Sequence, residues 1–228
     1  MYKLIIHLFL VSIFACTNAV VKEDFANKKN ALNIEKDDRL QPFFIKLTKL
    51  HLTGDFDGDG YKDSVQQNLI NQITNLPIDN IPGKLDFDER TKFFDSMETD
   101  VILTSQNLNL DTLHFSVAKG LYCLINIGDN NSDKKDEIAL VVINNDFSSL
   151  NRCYIYTICQ NKFKELMHFN INERAFDFNT EKAPIFKEIK GFLEKRQNHW
   201  HYMDYDRWMN AQLPKDTILQ PLKIKKAC

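Results

Sequence analysis

Two short stretches of this chain carry a dense set of oxygen-bearing side chains. The first reads Gly54-Asp55-Phe56-Asp57-Gly58-Asp59-Gly60-Tyr61-Lys62-Asp63, the second Gly128-Asp129-Asn130-Asn131-Ser132-Asp133-Lys134-Lys135-Asp136-Glu137. Aligned on Asp55 and Asp129, which lie 74 residues apart, they place oxygens at the same four loop positions, 1, 3, 5 and 9. These are Asp55, Asp57, Asp59 and Asp63 in one loop, and Asp129, Asn131, Asp133 and Glu137 in the other. A tightly coiled loop turns alternate side chains inward, so positions 1, 3 and 5 converge. Carboxylates crowded in this way repel one another, and a divalent cation relieves that repulsion. Calcium takes six to eight hard oxygens at about 2.3–2.6 Å. The backbone carbonyl of position 7, here Tyr61 or Lys135, joins such a set, and glycine at position 6 permits the sharp turn. Four of the seven glycines (Gly54, Gly58, Gly60, Gly128) fall in these stretches. The plainer alternative for each is a solvated Asp/Asn/Gly turn held by side-chain to backbone hydrogen bonds.

Each loop follows an alternating apolar run and leads into a second one, so both should join strands. An EF-hand needs flanking helices and a bidentate Glu at position 12. Position 12 is Gln66 in one loop and Leu140 in the other, so the ninth-position carboxylate, Asp63 or Glu137, is expected to be bidentate instead. That neither loop leads into a helix also argues against a dockerin-type pair. Asp55–Asp63 followed by Ser64-Val65, and Asp129–Glu137 followed by Ile138-Ala139-Leu140-Val141-Val142, resemble the calcium loops of FG-GAP/VCBS repeats. That resemblance implies blade-like antiparallel sheets of the integrin-alpha type, each loop joining two adjacent strands, with up to two structural calcium ions. Ser132 and Lys134 stand where that family favours glycine, which weakens the second site. Two units do not close a propeller, so the expected fold is mainly β: two four-stranded blade-like sheets packed as an incomplete propeller.

The remaining elements frame these sheets. Leu40, Phe43, Phe44 and Leu47 recur at helical spacing after Asp37 or Asp38, which predicts a short N-terminal helix. Leu50–Thr53, Asp63–Ile70, Asp100–Thr104 and Thr112–Val117 read as strands, and Asp88–Phe94 as a helical turn. Leu121, Cys123, Ile125 and Ile127 are expected on one strand face. Glu137–Asn144 is apolar on both faces, so it should be central and covered on both sides. Cys153–Cys159 and Phe163–Phe169 pair across Gln160-Asn161, and Gly191–Lys195 with His199–Tyr205 make a C-terminal hairpin turning near Arg196–Asn198.

The N-terminus carries an address. Lys3 precedes an apolar run, Leu4–Phe14, too short for a permanent membrane span and suited to a signal-peptide core. Ile13-Phe14-Ala15-Cys16 resembles the lipobox of bacterial lipoproteins, which implies acylation of Cys16 and firm attachment to a membrane surface. The expected organisation is a signal peptide over residues 1–15, a flexible tether over 16–35, and a β-rich domain over 36–228.

The chain has 228 residues, 43% hydrophobic and 26% charged, with a net charge of −2. This composition belongs to a globular protein, and the charge balance argues against a nucleic-acid partner. No nucleophile elbow, zinc-binding HExxH or phosphate-cradling glycine loop occurs, so the expectation is a protein that is not an enzyme. The reading that follows is a lipoprotein anchored at the bacterial cell envelope, with a calcium-stabilised domain that binds a glycan or an envelope protein or plays a structural role. A glycan-processing enzyme or accessory protein, with Trp200, Tyr202, Tyr205 and Trp208 as a stacking platform, is one alternative. An inhibitor or chaperone-like partner of an envelope protein is another. His199 and His201 flank Trp200 on one strand face, as metal ligands can. Cys123, Cys153, Cys159 and Cys228 are open to disulfide pairing or to roles as buried thiols.

Overall fold

The structure is a computed structural model that describes residues 43–176, 185–211 and 218–228. The signal peptide, Cys16 and the tether lie outside the described residues, as do the side chain of Trp208 and residue Leu40. The described chain is mainly β, built from several antiparallel sheets with no closed barrel among the described residues.

The first sheet contains β2 (His51–Gly54), β3 (Asp63–Asn71), β6 (Asp100–Ser105) and β7 (Leu113–Ser116) in that order, with the short β4 (Leu76–Pro77) paired to β3. The second is a four-stranded meander of β8 (Ala118–Gly128), β9 (Glu137–Asn144), β10 (Leu150–Cys159) and β11 (Lys162–Asn172). A third, smaller sheet joins β12 (Leu193–Arg196), β13 (His199–Tyr202) and β14 (Gln220–Pro221). β1 (Phe44–Lys46) pairs with β5 (Asn80–Pro82). Helix α1 (Phe87–Asp95) lies between β5 and β6, a 3-10 turn covers Glu173–Phe176, and α2 (Tyr205–Ala211) follows β13.

The second sheet is the middle layer. One face packs Leu121, Leu124, Ile138, Leu140 and Val142 against Leu52, Val65 and Leu103 of the first sheet. The other face packs Cys123, Ile125, Ala139, Val141 and Ile155 under Leu193, Trp200 and Met203. β9 is therefore covered on both sides, as its unbroken apolar run predicts. Both predicted tight turns occur. Gln160 and Asn161, and Gln197 and Asn198, all have positive φ, the geometry that fits the twist of two-residue hairpins. α1 begins with a capping box in which Asp86 accepts from the Glu89 N–H and the Glu89 carboxylate accepts from the Asp86 N–H.

Three expectations are corrected. The predicted N-terminal helix is replaced, over its described part, by β1, whose Phe44, Ile45 and Lys46 pair with Pro82, Ile81 and Asn80. Pro42 falls inside the helical pattern, where it removes an N–H and clashes with the preceding turn. Leu121 does not share a face with Cys123, Ile125 and Ile127. The register shifts between Leu121 and Cys123, so Leu121 turns to the first core and Cys123 to the second. The final strand ends at Tyr202 and the chain enters α2, where an extended run to Tyr205 is expected.

Candidate functional site: two acidic loops side by side

Both acidic loops are the connections of antiparallel pairs, and they close on equivalent partners: Gly54 faces Asp63, and Gly128 faces Glu137. The backbones coil alike. Positions 4 and 6 are left-handed in both, Gly58 and Gly60 in the first, Ser132 and Lys134 in the second. An L-residue in that conformation costs roughly 1–2 kcal/mol, so the second loop holds at two positions the geometry that glycine gives the first.

The hydrogen bonds repeat as well. Asp55 at position 1 accepts from the Gly58 N–H at 2.9 Å and the Gly60 N–H at 3.0 Å. Its counterpart Asp129 accepts from the Asp133 and Lys134 N–H groups at 3.2 and 3.0 Å. At position 5, Asp59 accepts from the Tyr61 N–H at 2.8 Å and Asp133 from the Lys135 N–H at 3.0 Å. At position 9, Asp63 accepts from the Phe56 N–H at 2.9 Å, and Glu137 from the Asn130 N–H at 2.7 Å.

Asp55, Asp57 and Asp59 bring carboxylate oxygens within 4.8 Å of one another, and so do Asp129, Asp133 and Glu137. Oxygens on opposite sides of a calcium ion stand about 4.8 Å apart. Both clusters could hold a metal ion. In the second loop Asn131 Oδ1 and Asp133 Oδ2 are buried with no hydrogen-bond partner, a costly arrangement unless something else satisfies them. Asp63 stands outside the first cluster. Its Oδ2 takes the Phe56 N–H, and its Oδ1 takes the Asn107 side-chain amide at 3.0 Å. Tyr61 is largely exposed, and its N–H is bound to Asp59. Lys135 sends its ammonium to the Ile158 carbonyl at 2.8 Å.

Burial pushes the Glu137 carboxyl up to about 7, and the charges of Asp133 and Asp129 add to the shift against the bonds from Asn130. Burial also raises Asp63, opposed by the Phe56 N–H and reinforced by the charges of Asp57 and Asp59. Both ninth-position carboxyls therefore sit where their ionised form lacks a positive counterpart.

The loops are joined to each other. The Asp136 N–H donates to the Asp55 carbonyl at 2.7 Å, and the Asp55 N–H donates to Asp136 Oδ2 at 3.2 Å. Asn126 adds a bond to Asp136 Oδ2 at 2.7 Å and one to the Thr53 carbonyl at 3.2 Å. A Cβ on Gly54 would stand 2.4 Å from Asn126 Nδ2, so glycine is what allows this approach. A C-terminal brace supports the second loop: Lys226 donates to the Ser132 carbonyl at 2.7 Å, and Cys228 is disulfide-bonded to Cys159 at the end of β10. Cys123 and Cys153 are buried free thiols.

Asp136, Asn126, Asn130 and Asn107 were not among the expected site residues. Asp136 carries a readable signal, an extra acid at loop position 8. The contact of Asn107 with Asp63 spans 44 residues and leaves no local mark. The other expected sites dissolve into packing. Trp200 is buried in the second core and Tyr202 packs on Phe169 at 4.9 Å between ring centroids. His201 Nδ1 lies 3.1 Å from the His199 carbonyl, and neither histidine joins a metal-capable cluster among the described residues. Comparison with protein-family models, with curated proteins and with solved structures finds no match to this chain.

Proposed function

We propose that each loop holds one calcium ion as a structural staple of an FG-GAP/VCBS-like pair of sheets. We further propose that this domain is carried on a bacterial lipoprotein anchored at the cell envelope through Cys16, where it binds or scaffolds rather than catalyses. The observation that carries the calcium reading is the pair of orphaned buried oxygens, Asn131 Oδ1 and Asp133 Oδ2, beside carboxylates already gathered at metal-binding spacing. The donor set is all hard oxygen with no sulfur or imidazole, which suits calcium over zinc or copper. The repeated loop geometry and the meander order of the two sheets support the blade-like reading. No helix among the described residues is long and apolar enough to cross a membrane, so attachment rests on the lipid expected at Cys16.

Extracellular modules hold calcium with Kd of about 10⁻⁴–10⁻³ M. At about 10 mM calcium each site then adds about 1.4–2.7 kcal/mol by mass action. Thermal melts of the purified protein in EDTA and in calcium test this. Calcium should raise Tm, and Asp55→Ala with Asp59→Ala should remove the first site's share of the rise, less than half of it. Identical melts in both conditions would overturn the reading. Cys16→Ser should move the protein from the membrane fraction to the soluble one; retention of that variant in membranes would overturn the anchor.

A further inference from the structure

Residues 218–228 run along the second core and finish against the second acidic loop. Packing and sheet pairing hold the first part of this segment. Ile218 is 5% exposed, Gln220 and Pro221 pair with β13, and the Leu222 N–H donates to the Trp200 carbonyl at 2.8 Å. Ile224 is half-buried on the same core. After it the attachments are few. Lys226 donates to the Ser132 carbonyl at 2.7 Å, Lys164 donates to the Ala227 carbonyl at 2.6 Å, and Cys228 is bonded to Cys159. Single hydrogen bonds at the surface hold a segment weakly, so the disulfide is what keeps residues 225–228 in place.

Two of these contacts land on the loop itself. Ser132 is its left-handed position 4. Lys135, at position 7, sends its ammonium to the Ile158 carbonyl at 2.8 Å and to Cys228 Sγ at 3.8 Å. The segment therefore grips the loop on either side of the left-handed Lys134. The first loop takes its support from Phe56 in the other core.

Cys228 is exposed and Cys159 is 8% exposed. Exposed disulfides are reduced more readily than buried ones. Cys123 and Cys153 are fully buried and stand outside the exchange. One thiolate of a dithiol attacks the Cys228 sulfur, a mixed disulfide forms, and Cys159 leaves as a thiolate. The second thiolate of the dithiol then closes its own disulfide, and Cys228 leaves as a thiolate beside the Lys135 ammonium. Two electrons pass to the cysteines, and the two protons of the dithiol end on them.

We propose that the Cys159–Cys228 bond is a redox latch on the second acidic loop. Oxidised, it holds residues 225–228 against Ser132 and Lys135 and orders the loop. Reduced by a dithiol, it releases them and loosens the loop's hold on a divalent cation. The cation half rests on the calcium reading above; the latch itself does not. Disulfides close outside the reducing cytosol, so the loop reaches its full order only in an oxidising compartment.

Hydrogen exchange and calorimetric calcium titration on the detergent-solubilised full chain, with and without dithiothreitol, test this. Reduction should speed amide exchange about tenfold in residues 129–136 and 223–228, and leave residues 138–142 of β9 unchanged, in EDTA as in calcium. Cys228→Ser should show the same pattern without reductant. In Asp55→Ala with Asp59→Ala, only the second loop is left to bind, and reduction should raise the calcium Kd about tenfold, the weight of one charge-assisted hydrogen bond. In Asp129→Ala with Asp133→Ala only the first loop is left, and reduction should leave its Kd alone. The proposal is overturned by unchanged exchange in the second loop or by faster exchange through β9 as well. A calcium Kd that reduction leaves alone at the second loop, or shifts equally at both, overturns it too. If neither redox form binds calcium, the calcium reading falls and the exchange pattern alone decides the latch.

Discussion

Asp136 is the residue whose removal most directly tests the join between the two loops. Its Oδ2 accepts from Asn126 Nδ2 at 2.7 Å and from the Asp55 N–H at 3.2 Å. Asp136→Ala deletes both bonds and leaves the backbone bond from the Asp136 N–H to the Asp55 carbonyl in place. A short hydrogen bond to a charged acceptor contributes about 1.5–3 kcal/mol, and the longer one about 0.5–1 kcal/mol. Against this, the variant removes one negative charge from a region holding Asp55, Asp129 and Glu137. With calcium bound that charge is compensated, so the lost bonds dominate and the net cost is about 2 kcal/mol. For a domain of this size that lowers Tm by about 4–8 °C. In EDTA the relief of repulsion offsets part of the loss, and the difference shrinks. Asp136→Asn keeps the acceptor and the shape without the charge, so it should lie between parent and Asp136→Ala in calcium. Thermal and urea unfolding of the three proteins, with and without calcium, give the comparison. If Asp136→Ala in calcium melts within about 1 °C of the parent, the contact between the loops carries no weight and the reasoning fails.

Lys134→Gly relieves a left-handed backbone at φ 73° and, after the greater entropy of glycine in the unfolded chain, should stabilise by about 0.5–1 kcal/mol; a lower urea midpoint would contradict it. The Cys159–Cys228 disulfide closes a loop of 69 residues, so reduction or Cys228→Ser should cost up to about 4 kcal/mol, read as a fall in Tm with reductant. Glu137 has a folded pKa of about 7, raised from 4.5. Its contribution in the metal-free protein is therefore fully present below pH 4.5 and lost as pH rises through 7. Melts in EDTA should show stability falling across that window, and Glu137→Gln should flatten it. A metal-free protein that gains stability from pH 5 to 7 by the same margin in parent and Glu137→Gln would contradict this assignment.

The parts of the fold legible in the sequence are those fixed by local chemistry. The acidic loops announce themselves because the geometry is held within nine residues. The hairpin turns are marked by Asn161 and Asn198, a residue type that tolerates positive φ. β9 is marked by an apolar run that only a two-sided burial explains. The illegible parts depend on contacts made elsewhere. β1 is extended because it finds β5, 36 residues later, and because Pro42 forbids the competing helix. The register shift after Leu121 depends on how β8 meets β9, so strict alternation carries Leu121 to the wrong core. The pairing of Cys159 with Cys228 rather than with Cys123 or Cys153 follows from where the C-terminal segment docks, which no spacing encodes.

The alignment of the two loops also hides an asymmetry that bears on what a bound cation would do. Position 2 is Phe56 in the first loop and Asn130 in the second. Phe56 is fully buried in the core between the first two sheets, and burying such a ring contributes about 1.5–3 kcal/mol. That anchor holds the first loop in place whether or not its carboxylates are neutralised. Asn130 has no such apolar anchor. Its amide bonds the carbonyls of Ile127 and Gly128 at 2.9 Å and Glu137 at 3.2 Å, so the second loop is held by a polar network. That network contains the carboxyl with the raised pKa and the two orphaned oxygens. It also contains two left-handed residues that are not glycine. Polar networks that are only partly satisfied are expensive in a low-dielectric setting. The second loop therefore has more to gain from a cation than the first, although its sequence departs further from the glycine pattern. The C-terminal brace through Lys226 and the Cys159–Cys228 bond falls on this same loop. The fold places its covalent staple beside the loop that packing alone holds least well.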